Sequence, residues 1–451
     1  MHQLSHYTIT GERTDGTVVY ANTRSNRRVL VSAEHHESLQ RSGPIGANGA
    51  LPADLVAGLS AAGILVPHGT DELSLVAADY LEDREPDDEL LLTLAPTISC
   101  NLACTYCFEP DHRAVFMTRE EEARLLRFVR GKLQGRRQLH VVWFGGEPLL
   151  HPDAITRLSR DLLRIASFAG ATYSAEIVTN GTRLTDELAA KLAALRVTSA
   201  QITIDGPAPV HDLLRPTLGG KPSYAATIAG ALAAHRHMTA YLRMNLDRHN
   251  VATIPQLLTD LVDRGLAGAP VGFTRVEPPA VYGPVLRGLV QEHYLTVPEF
   301  AEVEVELLEA ARAAGLRAEV PGFRADDAAA DDDALPCAAV NRGHFVIEPG
   351  GKVKRCWAEV SDDQHLAGQL RDDGMVLGER DGVWREYDPI DADCASCKVL
   401  PICYGGCPKA RIDGAMAQAG SRDEARIFKE RYVCSPRRYN LGQLLGRDLI
   451  G

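Results

Sequence analysis

The chain has 451 residues, 45% hydrophobic and 24% charged, which is enough for two or three domains with substantial cores. Its formal net charge of −12 argues against a general nucleic-acid or anionic-membrane surface, because either needs a basic patch. No apolar run is long enough to span a bilayer, and Met1–Tyr7 shows no secretory signal, so the cytoplasm is the expected location.

Residues 1–89 read as a small α+β module. His6–Thr10, Thr17–Tyr20 and Arg28–Ser32 are short β-rich runs, with Asp15-Gly16 a hairpin turn between the first two. Helical patterns follow at 33–42 and 51–63, and the acidic run 82–89 reads as a solvated linker.

From Leu90 the pattern alternates. Strands are expected at 90–97, 139–145, 174–179, 200–204, 242–246 and 271–276. Helices are expected between them at 119–133, 152–166, 184–195, 223–236 and 253–264, with a further one at 297–314. Six β/α units imply a partial parallel barrel over 90–323, with chemistry at the carboxyl ends of its strands. The segment 324–333 reads as an exposed loop, and 324–451 as a cysteine-rich domain.

The ten cysteines fall in two zones, three at 100–107 and seven at 337–434. Clustering of this kind in a large, signal-less chain points to metal binding rather than disulfides. Cys100, Cys104 and Cys107 place three thiolates in eight residues after the first expected strand. Three ligands can hold three irons of a cubane and leave the fourth open to a reactant. A zinc knuckle or buried structural cysteines is the competing reading, although zinc prefers four ligands in paired Cys-x2-Cys units. The second expected strand ends in Gly145-Gly146-Glu147-Pro148, where glycines allow close backbone approach and a carboxylate can accept from an ammonium group. The third ends in Asn180-Gly181. The fourth ends in Thr203-Ile204-Asp205-Gly206-Pro207, followed by His211, Asp212 and Arg215, for which a β-turn and a capped helix are the plain alternatives.

Together these motifs resemble the radical S-adenosylmethionine (SAM) superfamily. The resemblance implies a [4Fe-4S] cluster on Cys100, Cys104 and Cys107 whose open iron chelates SAM, and reductive cleavage to a 5′-deoxyadenosyl radical. It also implies cofactor contacts from Tyr106, Gly145, Gly146, Glu147, Thr203 and Asn245, with Arg243 beside them. Asp205, His211 and Asp212 are the candidate catalytic residues.

The seven later cysteines, Cys337, Cys356, Cys394, Cys397, Cys403, Cys407 and Cys434, are similar in spacing to the SPASM extension of peptide- and sulfatase-maturing members. In that extension Ile347–Cys356 corresponds to a β-hairpin and Leu400–Cys407 to a cluster loop. The resemblance implies two auxiliary [4Fe-4S] clusters, making three in all. The outer one is expected on Cys394, Cys397, Cys403 and Cys434. Cys337, Cys356 and Cys407 are expected to hold the inner one, which then lacks a fourth cysteine and has an open iron or a non-cysteine ligand. A zinc ribbon on Cys394, Cys397, Cys403 and Cys407 is the alternative.

The expected activity is formation of a thioether or carbon–carbon crosslink in a ribosomally made precursor peptide, fed by an external electron donor such as flavodoxin or ferredoxin. Residues 1–89 resemble leader-recognition modules, with dimerisation or packing the alternative. Competing functions are formylglycine formation, epimerisation, and a non-catalytic iron–sulfur scaffold that binds peptides.

Overall fold

Leu90, Leu92 and Leu94 are fully buried in the first of six parallel strands, and the same apolar repetition builds the other five. In a computed structural model, which describes residues 1–40, 51–85, 88–109, 113–278, 281, 293–320, 337–414 and 416–450, these strands are Glu89–Leu94, Gln138–Trp143, Thr172–Thr179, Val197–Thr203, Thr239–Leu246 and Pro270–Arg275. Each pairs in parallel with the next. The short Arg317–Ala318 strand adds a parallel edge to the last of them.

Parallel neighbours need crossovers, and amphipathic helices supply them. Arg119–Lys132 starts in a Thr118/Glu121 capping box, and Pro152–Ala169 has proline at its first turn and Gly170 in the left-handed region at its end. The helix expected at 253–264 is α-helical over Ile254–Leu261 and then widens into a π-turn at Val262–Leu266, where Gly265 has φ +99°.

The cysteine-rich region is not a separate layer. Its strand His344–Glu348 pairs in parallel with the outer edge of Glu89–Leu94. The sheet then continues antiparallel through Lys352–Lys354, Gly368–Arg371 and Gly374–Leu377, giving eleven strands among the described residues. The hairpin expected near 347–356 thus extends the barrel sheet, with Cys356 two residues past its second strand. The loop expected at 324–333, and with it the 323/324 boundary, lies outside the described residues.

In the N-terminal module, Thr8–Glu12, Val18–Asn22 and Arg27–Val31 form an antiparallel sheet in chain order, turned at Gly16 (φ +82°). Two further elements escaped the sequence reading. They are the pair His2–Leu4 with Leu65–Pro67, and the helix Glu72–Asp83. That helix overturns part of the solvated linker. Arg84 is only 6% exposed, and its guanidinium donates to the carbonyls of Arg385 and Tyr387. Charge in a sequence signals solvent only when no buried carbonyls await its donors.

The module is pressed onto the C-terminal region. Tyr7, Val76 and Tyr80 share a core with Cys356, Trp384, Cys394 and Tyr404. A side chain at Gly11 would come within 2.4 Å of the Gly442 carbonyl on the last helix, Arg437–Gly446. That helix is locked to Val297–Ala314 by a buried ion pair, Arg437 Nη2 to Glu304 Oε2 at 2.6 Å. No helix among the described residues is long and apolar enough to cross a membrane.

Candidate functional site

The Cys100–Cys107 loop leaves the first barrel strand and is stitched to the segment after the fourth. Ala103 N donates to the Pro216 carbonyl (2.8 Å) and Thr105 N to that of Leu214 (3.0 Å). This anchoring turns Cys100, Cys104 and Cys107 toward a cleft at the carboxyl ends of the strands. The cleft is also lined by Tyr106, Gly145, Gly146, Asn180, Thr203, Arg243 and Asn245 from the other strand ends. Burial pushes the Cys100 thiol up to about 12 and the Cys107 thiol up to about 11. Polar hydrogens already approach these sulfurs, with Leu102 N 3.5 Å from Cys100 Sγ. Among the described residues no three His, Cys, Asp or Glu side chains are close enough to share one metal ion.

The Gly-Gly turn packs directly on the cysteine loop. A Cβ at Gly145 would fall 2.2 Å from the Thr97 carbonyl, and one at Gly146 would fall 2.5 Å from that of Ser99. Gly145 also has φ +110°, so the motif is required both by space and by backbone conformation. Glu147 is placed differently from expectation. It is fully buried and does not line the cleft. Its Oε1 accepts from Leu149 N (2.9 Å) and Thr179 Oγ1 (2.7 Å), and its Oε2 from Asn180 N (2.7 Å). The carboxylate ties the second strand end to the third, and burial raises its pKa. The exposed part of the motif is glycine backbone.

The three expected catalytic side chains make framework hydrogen bonds. Asp205 is fully buried, accepting from Tyr106 Oη and from Asn245 N (2.8 Å), with Arg215 Nη1 at 3.6 Å. Burial raises its pKa despite Arg215. His211 is fully buried, and its Nδ1 accepts from Asp205 N at 3.3 Å. Burial drops its pKa to about 3, so the ring is neutral. Asp212 Oδ1 accepts from Ser223 N and Tyr224 N, both at 2.8 Å, and caps helix Tyr224–His237. The plain reading of a capped helix with surface charge does not describe these positions, since His211 and Arg215 are buried and helix Ala208–Leu214 has no side-chain cap. Asp205 and Arg215 hold Tyr106, whose hydroxyl accepts from Arg215 Nη1 (2.6 Å) and Asn245 Nδ2 (3.1 Å) at the cleft wall. Asn245 in turn accepts from Arg243 Nε (3.0 Å).

Two carboxylates that the sequence reading missed do line the cleft. Glu277 lies two residues past the sixth strand, paired with Arg275 at 2.6 Å. Burial lifts its pKa to about 7 against the pull of Arg275. Glu109 follows Cys107 by two residues and is 4% exposed. Burial, then Glu348, push it up to about 8. An acidic residue just past the sixth strand of a half-barrel was a findable signal, whereas nothing local marks Glu109.

Cys394, Cys397, Cys403 and Cys434 gather around one pocket beside Lys429 and Arg438. Arg438 Nη1 is 3.6 Å from Cys434 Sγ, and Arg411 Nη1 is 3.9 Å from Cys394 Sγ, cations that suit thiolate ligands. Cys407, which the zinc ribbon would need here, is grouped elsewhere. It lies within charge range of Cys337, and both lie within charge range of Cys356. Tyr404, Gly405 and Gly406, all at positive φ, turn the chain between Cys403 and Cys407 and so separate the two sets.

Three thiols thus stand at the rim of a parallel half-barrel and face one cleft. The radical SAM superfamily model matches residues 94–261, which span the cysteine loop and the second to fifth barrel strands, so the chain carries a radical SAM domain. It is 26% identical to mycofactocin maturase MftC of Mycobacterium tuberculosis over 373 residues, 79% of this chain and 89% of that one. It is 24% identical to the serine-type anaerobic sulfatase-maturating enzyme of Klebsiella aerogenes over 342 residues, 72% and 81% of the two chains. Among solved structures, anSMEcpe with bound AdoMet and Kp18Cys peptide superposes with TM-score 0.57 at 16% identity, covering 80% of this chain and 99% of that one. Streptococcus suis SuiB bound to precursor peptide SuiA gives 0.53 at 14%, covering 93% and 98%. The fold is that of radical SAM enzymes with a SPASM extension.

Proposed function

We propose that the protein is a peptide maturase that forms a thioether or carbon–carbon crosslink in a ribosomally made precursor. One observation carries the reading. A single cleft is lined both by the barrel's cysteine loop and by Trp357, the neighbour of Cys356 in the C-terminal set. A substrate residue in that cleft lies between the two kinds of metal site. MftC and the SuiB–SuiA complex, relatives in sequence and in fold, support a peptide substrate.

When bound, the cluster on Cys100, Cys104 and Cys107 and its SAM supply a 5′-deoxyadenosyl radical able to take hydrogen from an unactivated carbon. The chain's own residues do the rest. Gly145–Gly146 present backbone to the cofactor's amino end, and Tyr106, Thr203 and Asn245 frame it. Glu147, Asp205 and His211 fix those groups from behind. We assign Glu277 as the base that receives the substrate proton when the new bond closes, since it faces the cleft with a pKa near neutrality. Cys394, Cys397, Cys403 and Cys434 would hold an outer auxiliary cluster. Cys337, Cys356 and Cys407 would hold an inner one with an iron left for substrate or a non-cysteine ligand, and these auxiliary clusters would accept the electron released as the bond closes. An external carrier of flavodoxin or ferredoxin type would supply electrons.

The N-terminal module fits leader capture. Strand Thr8–Glu12 is packed by the last helix, while the outer edge of Arg27–Val31 has no strand partner among the described residues and can take an added strand. Mass spectrometry of a precursor encoded beside the gene tests the proposal. A crosslink gives a peptide lighter by two hydrogens with no carbonyl. A carbonyl-reactive product would instead establish formylglycine formation, the chemistry the sulfatase-maturating relatives suggest.

A further inference from the structure

One carboxyl lining the cleft has an oxygen without a partner among the described residues. Glu109 is 4% exposed, and its Oε2 has no hydrogen-bond partner among the described residues. A buried carboxyl oxygen without a partner calls for a hydrogen-bond donor. The surroundings say what that would be. Trp357 packs against Phe108 (ring centroids 5.2 Å apart, planes at 72°) and against Phe144 (5.9 Å, 60°), and all three rings line the same cleft. A second buried carboxylate, Glu348, lies within charge range of Glu109. Glu348 has its own cation, Lys354 Nζ at 3.9 Å, and its own donor, Ser361 N at 2.8 Å. Those partners of Glu348 are taken, and none of them serves Glu109. The cleft's arginines stand elsewhere, committed to other partners. Arg215 holds Tyr106, Arg243 holds Asn245 and Arg275 holds Glu277.

We propose that Glu109 and the rings of Phe108, Phe144 and Trp357 form a subsite for a lysine or arginine side chain of the substrate peptide. The aromatic faces take the alkyl stem and favour the cation, and the carboxylate receives its charge-assisted hydrogen bond. The subsite is bracketed by metal ligands, with Glu109 two residues from Cys107 and Trp357 next to Cys356. A cationic residue seated there presents its own or a neighbouring carbon to the radical, with the C-terminal set close behind. This selects precursors with a basic residue at or beside the reacting position. The inference rests on the peptide-maturase reading but fails separately from it.

The test uses the full chain, reconstituted anaerobically with SAM, and two capped probes, acetyl-Gly-Lys-Gly-amide and its norleucine counterpart, titrated by calorimetry. The parent should bind the lysine probe roughly tenfold or more tighter, the scale of one buried charged hydrogen bond. Glu109→Gln should erase the difference at parental iron content, and Glu109→Asp should keep it. Equal affinities in the parent, or a lysine preference that survives Glu109→Gln, would overturn the subsite. The two probes on the parent alone decide whether a cation subsite exists, so the test holds even if a variant fails to assemble. Lysine preference in a parent that cleaves no SAM would keep the subsite and sink the maturase reading.

Discussion

Glu147 and Glu277 show how position decides what a carboxylate does. Glu147 has three protein donors and no cleft exposure, so its contribution is structural. Glu147→Ala leaves a backbone amide at Leu149, another at Asn180 and the Thr179 hydroxyl without acceptors. At about 1–3 kcal/mol for each stranded buried donor, the loss should total about 3 kcal/mol or more, read as a lower unfolding midpoint under anaerobic conditions. An unchanged midpoint would contradict the anchoring role. Glu277 has one partner and faces the cleft. Acting as a base, it must be ionised, so the single-turnover rate of bond formation should rise with pH through about 7 and level above it. Glu277→Gln should remove that limb and slow the step by about 10²-fold, leaving cofactor cleavage to be measured separately. A parental pH profile in the glutamine variant would exclude the assignment.

Among the elements, strands and helices of the barrel were legible in the sequence to within a few residues. Each is long, periodic and bounded by caps such as Thr118, Gly170 and Thr296. The site was legible in part. Cys100–Cys107 and Gly145–Gly146 carry their function in local spacing. For Asp205, His211 and Asp212 the sequence gives the chemistry but not the direction each side chain points. Asp205 and His211 are fully buried, and Asp212 accepts from the start of the next helix. Glu109 and Glu277 were invisible for the converse reason, since only the fold brings them to one cleft. Helix Glu72–Asp83 was missed because its acidic end ran into a charged stretch whose Arg84 finds buried carbonyls. The Gly-Gly turn offers a test at this scale. Gly146→Ala would put a methyl 2.5 Å from the Ser99 carbonyl, displacing the cysteine loop. The variant should lose the low-temperature EPR signal of the first reduced cluster and its perturbation by SAM. An unaltered signal would mean that the turn does not set the loop.

The whole molecule behaves as one packed body rather than a barrel with appendages, because the eleven-stranded sheet and the shared core around Tyr7, Tyr80, Cys356 and Tyr404 cross its apparent boundaries. Deleting residues 1–88 should therefore destabilise the C-terminal cysteine sets instead of yielding a leaderless but intact enzyme. Sparing of the iron there would contradict that coupling. The central claim is that one radical site and two auxiliary clusters share this body. It is tested most directly by iron and acid-labile sulfide per chain after anaerobic reconstitution, with the Cys100/Cys104/Cys107→Ala variant alongside. Three four-iron clusters give about 12 irons in the parent and about 8 in the variant. About 4 irons in the parent, accompanied by bound zinc, would contradict the account and make the C-terminal cysteines a structural zinc site.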